Sequence, residues 1–442
     1  YGGSSNSLVI SNGGTVANAE SVIGFELTAS NNSVVVTGTG SLWTNSSDLY
    51  VGSSGNSLTL ADGGTVAASS ISIATSIATN AVSSGTLNIG RFGTNDTGGT
   101  IISPTIAFGA GTGAINFNQS DAVTITSAIS GAGTLNQLGA GTTTLSGANT
   151  YSGPTGINGG QLIVNGSISN NSSLYVGESG SGNSMVISNA GTVASGTGYI
   201  GFTNTASNNS VLVAGTNSVW TNSGDLNVGY FGSSNSLVIS DGGTVANGVG
   251  VIGVEVSSSN NSVLVTDGGT WTDSGDLYVG LEGSGNSLVI SNGGMVQNNA
   301  GVIGEDTNAL NNSVLVTGAA STWTNSGALT IAQRGSGTLT VVSGGSVASS
   351  GITIASSNTA TGTLNIGRFG TNDTGGTIIA PTIAFGSGTG AINFNQSNAV
   401  TITSAISGNG VVNQLGTGTT TLSGANTYTR GTVVSAGSLV GT

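Results

Sequence analysis

A short alternation of apolar and polar residues recurs along this chain. Residues 286–296 read NSLVISNGGMV, which predicts a polar entry, a strand, a tight turn and the start of a second strand. Close copies begin at residues 6, 56, 183 and 235, and a related version, NNSVLVTG, occupies residues 311–318. The first apolar positions of successive copies recur every 25 or so positions: Leu237, Val263, Leu288, Val314 and Leu339. A fixed period of roughly 25 residues is typical of a stacked repeat architecture.

Each period contains three short strand candidates. In the copy that begins at residue 235 they are residues 237–239, 244–246 and 251–252, separated by turns rich in Gly, Asn and Ser. The apolar positions are mainly β-branched and show no 3.6-residue periodicity, so a helical fold is excluded. We therefore predict an all-β protein: one continuous right-handed parallel β-helix (β-solenoid) over residues 1–442, with about 25 residues and three short strands per coil. The handedness follows the general preference for right-handed parallel crossovers.

Alternation within each strand assigns its side chains to the inside or the outside. The first and third positions, such as Val211 and Val213, are apolar and should point inward. In six main strands the outward middle position is also apolar: Val186, Leu212, Val238, Leu264, Val289 and Leu315. Either neighbouring loops cover this stripe, or its residues are apolar simply because β-branched side chains are good strand formers. The alternative is a contact surface for another copy or for the cell surface.

A second, longer repeat divides the chain. TLNIGRFGTNDTGGTII begins at residues 86 and 363, and LSGANTY begins at residues 145 and 422, so both motifs are displaced by the same offset. We expect coils of the short period over 1–83 and 166–360, and two copies of a different unit over 84–165 and 361–442. The repeated GRFGTNDTGG loop is expected to hold the structural ion pairs Arg91–Asp96 and Arg368–Asp373. Because residues 1–16 align with 230–245, the chain begins within a repeat, and we expect it to be a fragment of a longer polypeptide.

The second unit has a recognisable core. Residues 131–162 read GAGTLNQLGAGTTTLSGANTYSGPTGINGGQL, and residues 408–439 match them. This segment resembles the autotransporter-associated β-strand repeat, also called the passenger-associated transport repeat, of type V secreted bacterial surface proteins. The resemblance implies an exported right-handed β-helix at the cell surface or in the extracellular space, with the repeat assisting passenger folding. Thr429 and Arg430 depart from the small residues usual after the Tyr of this motif.

The composition limits the kinds of partner that the chain can bind. Charged residues make up 5% of the 442, with 17 acidic residues against four Arg and a net charge of −13. No basic patch exists for a phosphate backbone, so we expect no nucleic-acid partner. No apolar run approaches the roughly 18 residues of a membrane-spanning helix, so we expect no membrane insertion by this segment.

Two sets of side chains recur at fixed places in the coils. Asn residues at the coil entries should stack into a structural amide ladder: Asn32, Asn56, Asn209, Asn235, Asn261, Asn286 and Asn312. Aromatic residues recur at a corner and on an outward strand face: Trp43, Trp220, Trp271, Trp323, Tyr50, Tyr175 and Tyr278. The Trp side chains either pack in the core or, with the outward Tyr side chains, stack on sugars.

Catalytic chemistry has few candidates. Without His, Cys or Lys, no serine has a conventional base, so nucleophilic serine catalysis is excluded. The densest carboxylates, Asp267, Asp273 and Asp276, occupy repeat positions that elsewhere hold Gly, Asn or Ser, or repeat as Asp, whereas catalysis requires one unique constellation. Glu305 and Asp306 form the next group. We therefore expect no catalytic residues, no metal site and no cofactor.

Three functions remain open. The first is a non-enzymatic extracellular structural solenoid, a rigid rod or fibre with repeated display that associates with itself laterally or end to end. The second is an adhesin that binds a glycan or a host surface through a Trp/Tyr ladder. The third is a polysaccharide-active enzyme that uses paired carboxylates. A dry apolar interface between copies would favour the first, exposed aromatic rings the second, and a cleft with clustered carboxylates the third.

Overall fold

The computed structural model describes residues 3–24, 26, 28–52, 54–75 and 83–441. In these residues all regular secondary structure is β-strand. The described residues therefore contain no helix that could span a membrane. The chain is a parallel β-solenoid of about 16 turns with about 25 residues per coil, so the predicted fold class is confirmed. It divides into two compact units, residues 1–198 (unit 1) and 199–442 (unit 2), which are described separately.

Unit 1 consists of short strands joined by tight turns. They are β1 (Ser7–Ile10), β2 (Thr15–Asn18), β3 (Ser21–Ile23), β4 (Ser33–Thr37), β5 (Leu42–Asn45), β6 (Asp48–Val51), β7 (Asn56–Ala61), β8 (Thr65–Ala67), β9 (Ser70–Ile73), β10 (Ser84–Ile89), β11 (Thr100–Ile102), β12 (Thr105–Phe108), β13 (Thr112–Phe117), β14 (Ala122–Ile125), β15 (Ala128–Ser130), β16 (Thr134–Gln137), β17 (Thr142–Leu145), β18 (Ala148–Asn149), β19 (Thr155–Ile157), β20 (Gln161–Val164), β21 (Ser167–Val176) and β22 (Ser184–Ile187). Strand β23 (Thr192–Ile200) contains the boundary residue Gly198.

Unit 2 has the same construction. Its strands are β24 (Ser210–Ala214), β25 (Val219–Asn222), β26 (Leu226–Val228), β27 (Ser236–Ser240), β28 (Thr244–Asn247), β29 (Gly250–Ile252), β30 (Ser262–Val265), β31 (Thr270–Asp273), β32 (Leu277–Val279), β33 (Ser287–Ile290), β34 (Met295–Asn298), β35 (Gly301–Ile303), β36 (Asn312–Thr317), β37 (Thr322–Asn325), β38 (Leu329–Ile331), β39 (Ser336–Val342), β40 (Ser346–Ala348), β41 (Ile352–Ile354), β42 (Thr361–Ile366), β43 (Thr377–Ile379), β44 (Thr382–Phe385), β45 (Thr389–Phe394), β46 (Ala399–Ile402), β47 (Ala405–Gly408), β48 (Val411–Gln414), β49 (Thr419–Leu422), β50 (Thr432–Val434) and β51 (Ser438–Gly441).

Strands pair in parallel with their counterparts on the next coil, which are usually three strands further along the chain. In unit 1 the first strands form sheet I (β1–β4–β7–β10–β13–β16–β19–β21), the second strands sheet II (β2–β5–β8–β11) and the third strands sheet III (β3–β6–β9–β12–β15). Sheet IV begins within residues 84–165, which we call the first transport-type unit, and contains β14–β17–β20–β22. Parallel pairing follows because each strand stacks on its own repeat one coil away.

Unit 2 repeats this plan. Its first strands form sheet V (β24–β27–β30–β33–β36–β39–β42–β45–β48–β50). The second strands run from β25 to β43, and the third from β26 to β47. Inward residues such as Val263, Val265 and Ile290 are at most 1% exposed, so the core is the predicted inward ladder.

Coil length changes inside the first transport-type unit. Along sheet I the residues aligned on successive coils are Leu87, Ile115, Leu135, Thr155 and Leu174. The first step is longer than the usual coil, and the three that follow are shorter. The shortened coils move each sequence motif to a neighbouring sheet. Strands with the NSLVIS-type motif lie in sheet I before this unit, whereas β22, with the same motif after it, lies in sheet IV. The subdivision of the chain at residues 83, 165 and 360 stays a prediction.

Candidate interaction surface

The outward middle positions of sheet V form an apolar row. Leu212, Val238, Leu264, Val289 and Leu315 pair in register on consecutive strands. Each side chain is partly exposed, while the residues before and after it along the strand are buried. Since adjacent strands lie about 4.8 Å apart, the five side chains form one continuous strip, which we call the apolar stripe.

The stripe has defined limits. After Leu315 the row continues with Thr340 and then with Asn365 and Asn393, whose amides are hydrogen-bonded at 2.9 Å. Val186, the sixth predicted member, belongs to unit 1, where it is partly exposed and aligns with Ile163 in sheet IV. In unit 2 the stripe therefore consists of five residues, and loops do not cover it completely.

The seven Asn side chains named above lie in two buried amide ladders. In unit 1, the backbone N–H and the Nδ2 of Asn32 both donate to Asn56 Oδ1, at 2.8 and 3.0 Å. The same pattern, with distances from 2.8 to 3.2 Å, joins consecutive members in unit 2: Asn209, Asn235, Asn261, Asn286 and Asn312. Each acceptor oxygen thus satisfies two donors of the preceding coil.

Glycine at a preceding corner makes room for this ladder. Gly253 has a φ of +81°, a conformation that side chains with a Cβ rarely adopt, and a Cβ there would overlap the amide of Asn286. Gly229 and Gly280 stand in the same relation to Asn261 and Asn312. These three glycines are therefore part of the amide ladder.

All four Trp side chains are buried. Trp220, Trp271 and Trp323 are 0% exposed and Trp43 is 3% exposed. Trp271 Nε1 donates to Asn247 Oδ1 at 2.8 Å, and Trp323 Nε1 donates to Asn298 Oδ1 at 2.7 Å. The expectation that these indoles stack on sugars is therefore wrong, because their faces pack inside the solenoid. The alternative of core packing describes them correctly.

A second polar ladder beside the Trp rings was missed from the sequence. Asn247 Nδ2 donates to Asp273 Oδ1, and Asn298 Nδ2 donates to Asn325 Oδ1. Asp273 is 4% exposed, and its Oδ2 accepts no hydrogen bond from any described residue. Burial raises the pKa of Asp273 well above its usual range, against the opposing hydrogen bonds of Asn247 and Trp271. The available signal was the recurring Asn or Asp two positions after Trp.

The three predicted Tyr side chains do not form one row. In unit 1, Tyr50 lies in sheet III and Tyr175 in sheet I, because the shortened coils move the motif between sheets. In unit 2, Tyr278 lies between Val251 and Val302 on the neighbouring coils. The predicted Trp/Tyr ladder is therefore corrected to three separate, partly exposed Tyr rings.

The candidate catalytic carboxylates lie in turns or form hydrogen bonds and ion pairs within the fold. Asp267 lies in a turn with a φ of +51°, and Asp276 Oδ1 accepts the Ala300 N–H at 3.0 Å. Arg334 lies 3.5 Å from Glu305 and 3.3 Å from Asp306. Among the described residues, no three His, Cys, Asp or Glu side chains are grouped as metal ligation requires.

Four rings form a surface cluster that the sequence reasoning also missed. Phe202 and Tyr230 stack with their centroids 5.4 Å apart, and Tyr199 meets Tyr230 edge-on at 5.7 Å. Phe231 packs edge-on against Tyr230 at 5.0 Å and is 39% exposed. Phe202 and Tyr230 follow the corner glycines of adjacent coils, a signal visible in the sequence only once the coil register is known.

The expected ion pairs in the repeated loop are present. Arg91 lies 2.9 Å from Asp96, and Arg368 lies 3.5 Å from Asp373. The next residue in each loop, Phe92 or Phe369, is 81% or 77% exposed. Both loops therefore present a phenyl ring to solvent.

Parts of the chain are similar in sequence to known proteins. The family model described as "Passenger-associated-transport-repeat" matches residues 135–164 and 412–440. The adhesin BmaC autotransporter of Brucella suis biovar 1 (strain 1330) is 38% identical over 104 residues, which is 23% of this chain and 3% of that protein. The chain thus spans about 3% of the length of that relative.

Among solved structures, a TibC-catalyzed hyper-glycosylated fragment of TibA matches 99% of this chain and 96% of its own. Its sequence identity is 12% and its TM-score 0.28, so this likeness adds nothing to the assignment.

Proposed function

We propose that this chain, which belongs to an autotransporter passenger displayed on the bacterial cell surface, is a non-enzymatic scaffold that associates laterally with other copies through the apolar stripe. The observation that carries the proposal is the row of five partly exposed aliphatic side chains in register on sheet V. Soluble proteins seldom leave a contiguous apolar strip open to water.

The surroundings of the stripe suit a close contact. The strand positions beside it are small Ser residues, for example Ser236, Ser262 and Ser287, which would let a second surface approach. Full burial of one Leu or Val side chain contributes roughly 1.5–3 kcal/mol, and a partly exposed one gains only a fraction of that. Several residues in a row are therefore needed for a stable contact, and repetition along the solenoid supplies them.

Substituting Asn for Leu212, Leu264 and Leu315 together is expected to convert associated chains to single particles, because it places polar amides in the contact. Analytical ultracentrifugation and electron microscopy measure the change. Leu310→Asn is the matched control, since Leu310 is 45% exposed but lies outside the stripe. Association that survives the triple substitution, or that is lost equally in the control, would contradict the stripe as the interface.

Adhesion to a glycan or a host surface is a second candidate. The relative with 38% identity is named an adhesin, and the cluster of Tyr199, Phe202, Tyr230 and Phe231 presents aromatic surface. Phe231→Ser is expected to reduce adhesion of bacteria that display the chain, measured as bound cells on a host-cell layer. Ile379→Ser, at a 58% exposed apolar residue outside the ring cluster, is the control. Equal adhesion by all three proteins would contradict a role for the cluster.

A further inference from the structure

A small groove lies between the loop of residues 367–376 and the turn of residues 415–417 in unit 2. Its cavity volume is 330 Å³, at the small end of the range of ligand pockets. The side chains that line it are uncharged: Phe369, Thr371, Asn372, Asn395, Leu415 and Thr417. The groove therefore combines an aromatic ring with amide and hydroxyl groups.

The loop of residues 367–376 holds the Phe369 ring exposed to solvent. The ring is 77% exposed although the loop around it is well tied down. Thr371 Oγ1 donates to the carbonyl oxygen of Arg368 at 2.9 Å, and Ser397 Oγ donates to that of Asn372 at 2.8 Å. The loop therefore holds the phenyl ring at a fixed place on the surface, where a flat apolar ligand face can stack on it.

One wall of the groove contains the buried amide of Asn395. Asn395 is 4% exposed, and its Nδ2 donates to the carbonyl oxygen of Gly367 at 3.2 Å. No described residue donates a hydrogen bond to its Oδ1. This oxygen has almost no accessible surface, so the polar groups that a ligand could reach in the groove are the exposed side chains of Thr371 and Asn372.

Unit 1 contains the same arrangement in its own copy of the loop. Phe92 is 81% exposed, and Asn118, 5% exposed, donates from Nδ2 to the carbonyl oxygen of Gly90 at 3.2 Å. No described residue donates to Asn118 Oδ1 either. The Leu138 N–H donates to the carbonyl oxygen of Phe117 at 2.8 Å, as the Leu415 N–H does to that of Phe394. Each unit thus presents one copy of the exposed ring and of the loop that holds it.

We propose that each groove binds one sugar ring of a neutral glycan. Sugars offer an apolar C–H face that can stack on the phenyl ring and hydroxyl groups that can hydrogen-bond to exposed side chains such as Thr371 and Asn372. Charged ligands lack a partner here, since Arg368 is already paired with Asp373. The proposal rests on the adhesive function, to which it gives a ligand class, and is independent of the apolar stripe. Two sites on one chain would raise the apparent affinity for a multivalent glycan surface.

Binding of the full chain to immobilised neutral, amino-substituted and sialylated oligosaccharides tests the ligand class. Neutral members are expected to bind, and calorimetry with the strongest of them should give two sites per chain. Phe369→Ala is expected to reduce the stoichiometry to one. The double variant Phe92→Ala/Phe369→Ala should lose about tenfold or more in affinity, and Phe369→Tyr should retain it. Ile379→Ala, at a 58% exposed apolar residue outside the groove, is the control and should bind normally.

Three results would overturn the proposal. One is that no neutral oligosaccharide binds; another is that the double alanine variant, with an unchanged circular dichroism spectrum and melting temperature, binds as well as the parent. The third is that the double variant alters sedimentation instead of glycan binding, which would make a second copy of the chain the occupant of the groove. Failure of lateral association is read separately from the Leu212, Leu264 and Leu315 variants, and failure of the ring cluster from Phe231→Ser, so the three failures can be distinguished.

Discussion

Replacing Asn261 with alanine is expected to lower the free energy of unfolding by about 3 kcal/mol, because alanine leaves two buried donors without a partner and each costs about 1–3 kcal/mol. Asn261 Oδ1 accepts both hydrogen bonds, from the backbone N–H of Asn235 at 2.8 Å and from its Nδ2 at 3.1 Å. The substitution also removes the Nδ2 bond to Asn286 Oδ1, at 3.1 Å.

Hydrogen exchange followed by mass spectrometry measures this loss locally. A solenoid need not unfold in one step, because each coil contacts chiefly its neighbours. Faster exchange is expected in strands β27, β30 and β33, with a lower midpoint in urea. Asn308→Ala, at an exposed Asn, is the matched control and should change the free energy by less than about 0.5 kcal/mol. If the two variants behaved alike, the amide ladder would not be a major source of stability.

The coil itself could be predicted from the sequence because one physical rule generates it. Apolar residues two positions apart in a strand must share a face, so pairs such as Val263 and Val265 mark the inside, and both are at most 1% exposed. A Gly or Asn at each turn and the constant period then fix the stacking. The same period placed Asn235 and Asn261 one above the other, where their amides meet.

The orientation of motifs across the transport-type unit could not be predicted this way. Its coils in sheet I, from Ile115 through Leu135 to Thr155, are shorter than the usual coil of about 25 residues. A constant period assigns Tyr50 and Tyr175 to one face, whereas the intervening short coils leave them in two different sheets. Motif similarity indicates which residues a strand contains. The sheet that the strand joins depends on the number of residues in all the coils before it.

The solvent exposure of the aromatic rings could not be predicted from the sequence either. Trp271 and Phe369 are both preceded by small or polar residues in low-complexity surroundings, yet one is 0% exposed and the other 77%. Trp271 follows an outward Thr within a strand and turns inward, whereas Phe369 lies in a loop that leaves the coil. Burial therefore rules out sugar stacking by the Trp rings, and the groove became visible only when the loop and the turn of the next coil were placed together.

Asp273→Asn is expected to stabilise the protein by about 1–3 kcal/mol at neutral pH, because it relieves the unpaired buried oxygen of the second polar ladder. Neighbouring coils carry Asn247 and Asn298 at the same place, and an Asn side chain can both accept from one and donate toward the other. A carboxylate only accepts. Asp273 can act as a donor only when it is protonated, and burial favours that state by raising its pKa well above the usual range.

The pH dependence distinguishes this explanation from a general effect of removing charge. Because the folded-state pKa lies above the unfolded value of about 3.9, the contribution of neutral Asp273 is complete below that value and is lost as pH rises through the raised pKa. The stability difference between Asp273→Asn and the parent should therefore be small near pH 4 and grow toward pH 8 in urea titrations. Asp267→Asn, at an exposed turn residue, is the isosteric control and should show no such trend. A constant difference across this range, or the same trend in the control, would mean that Asp273 is not held neutral by its position between Asn247 and Asn298.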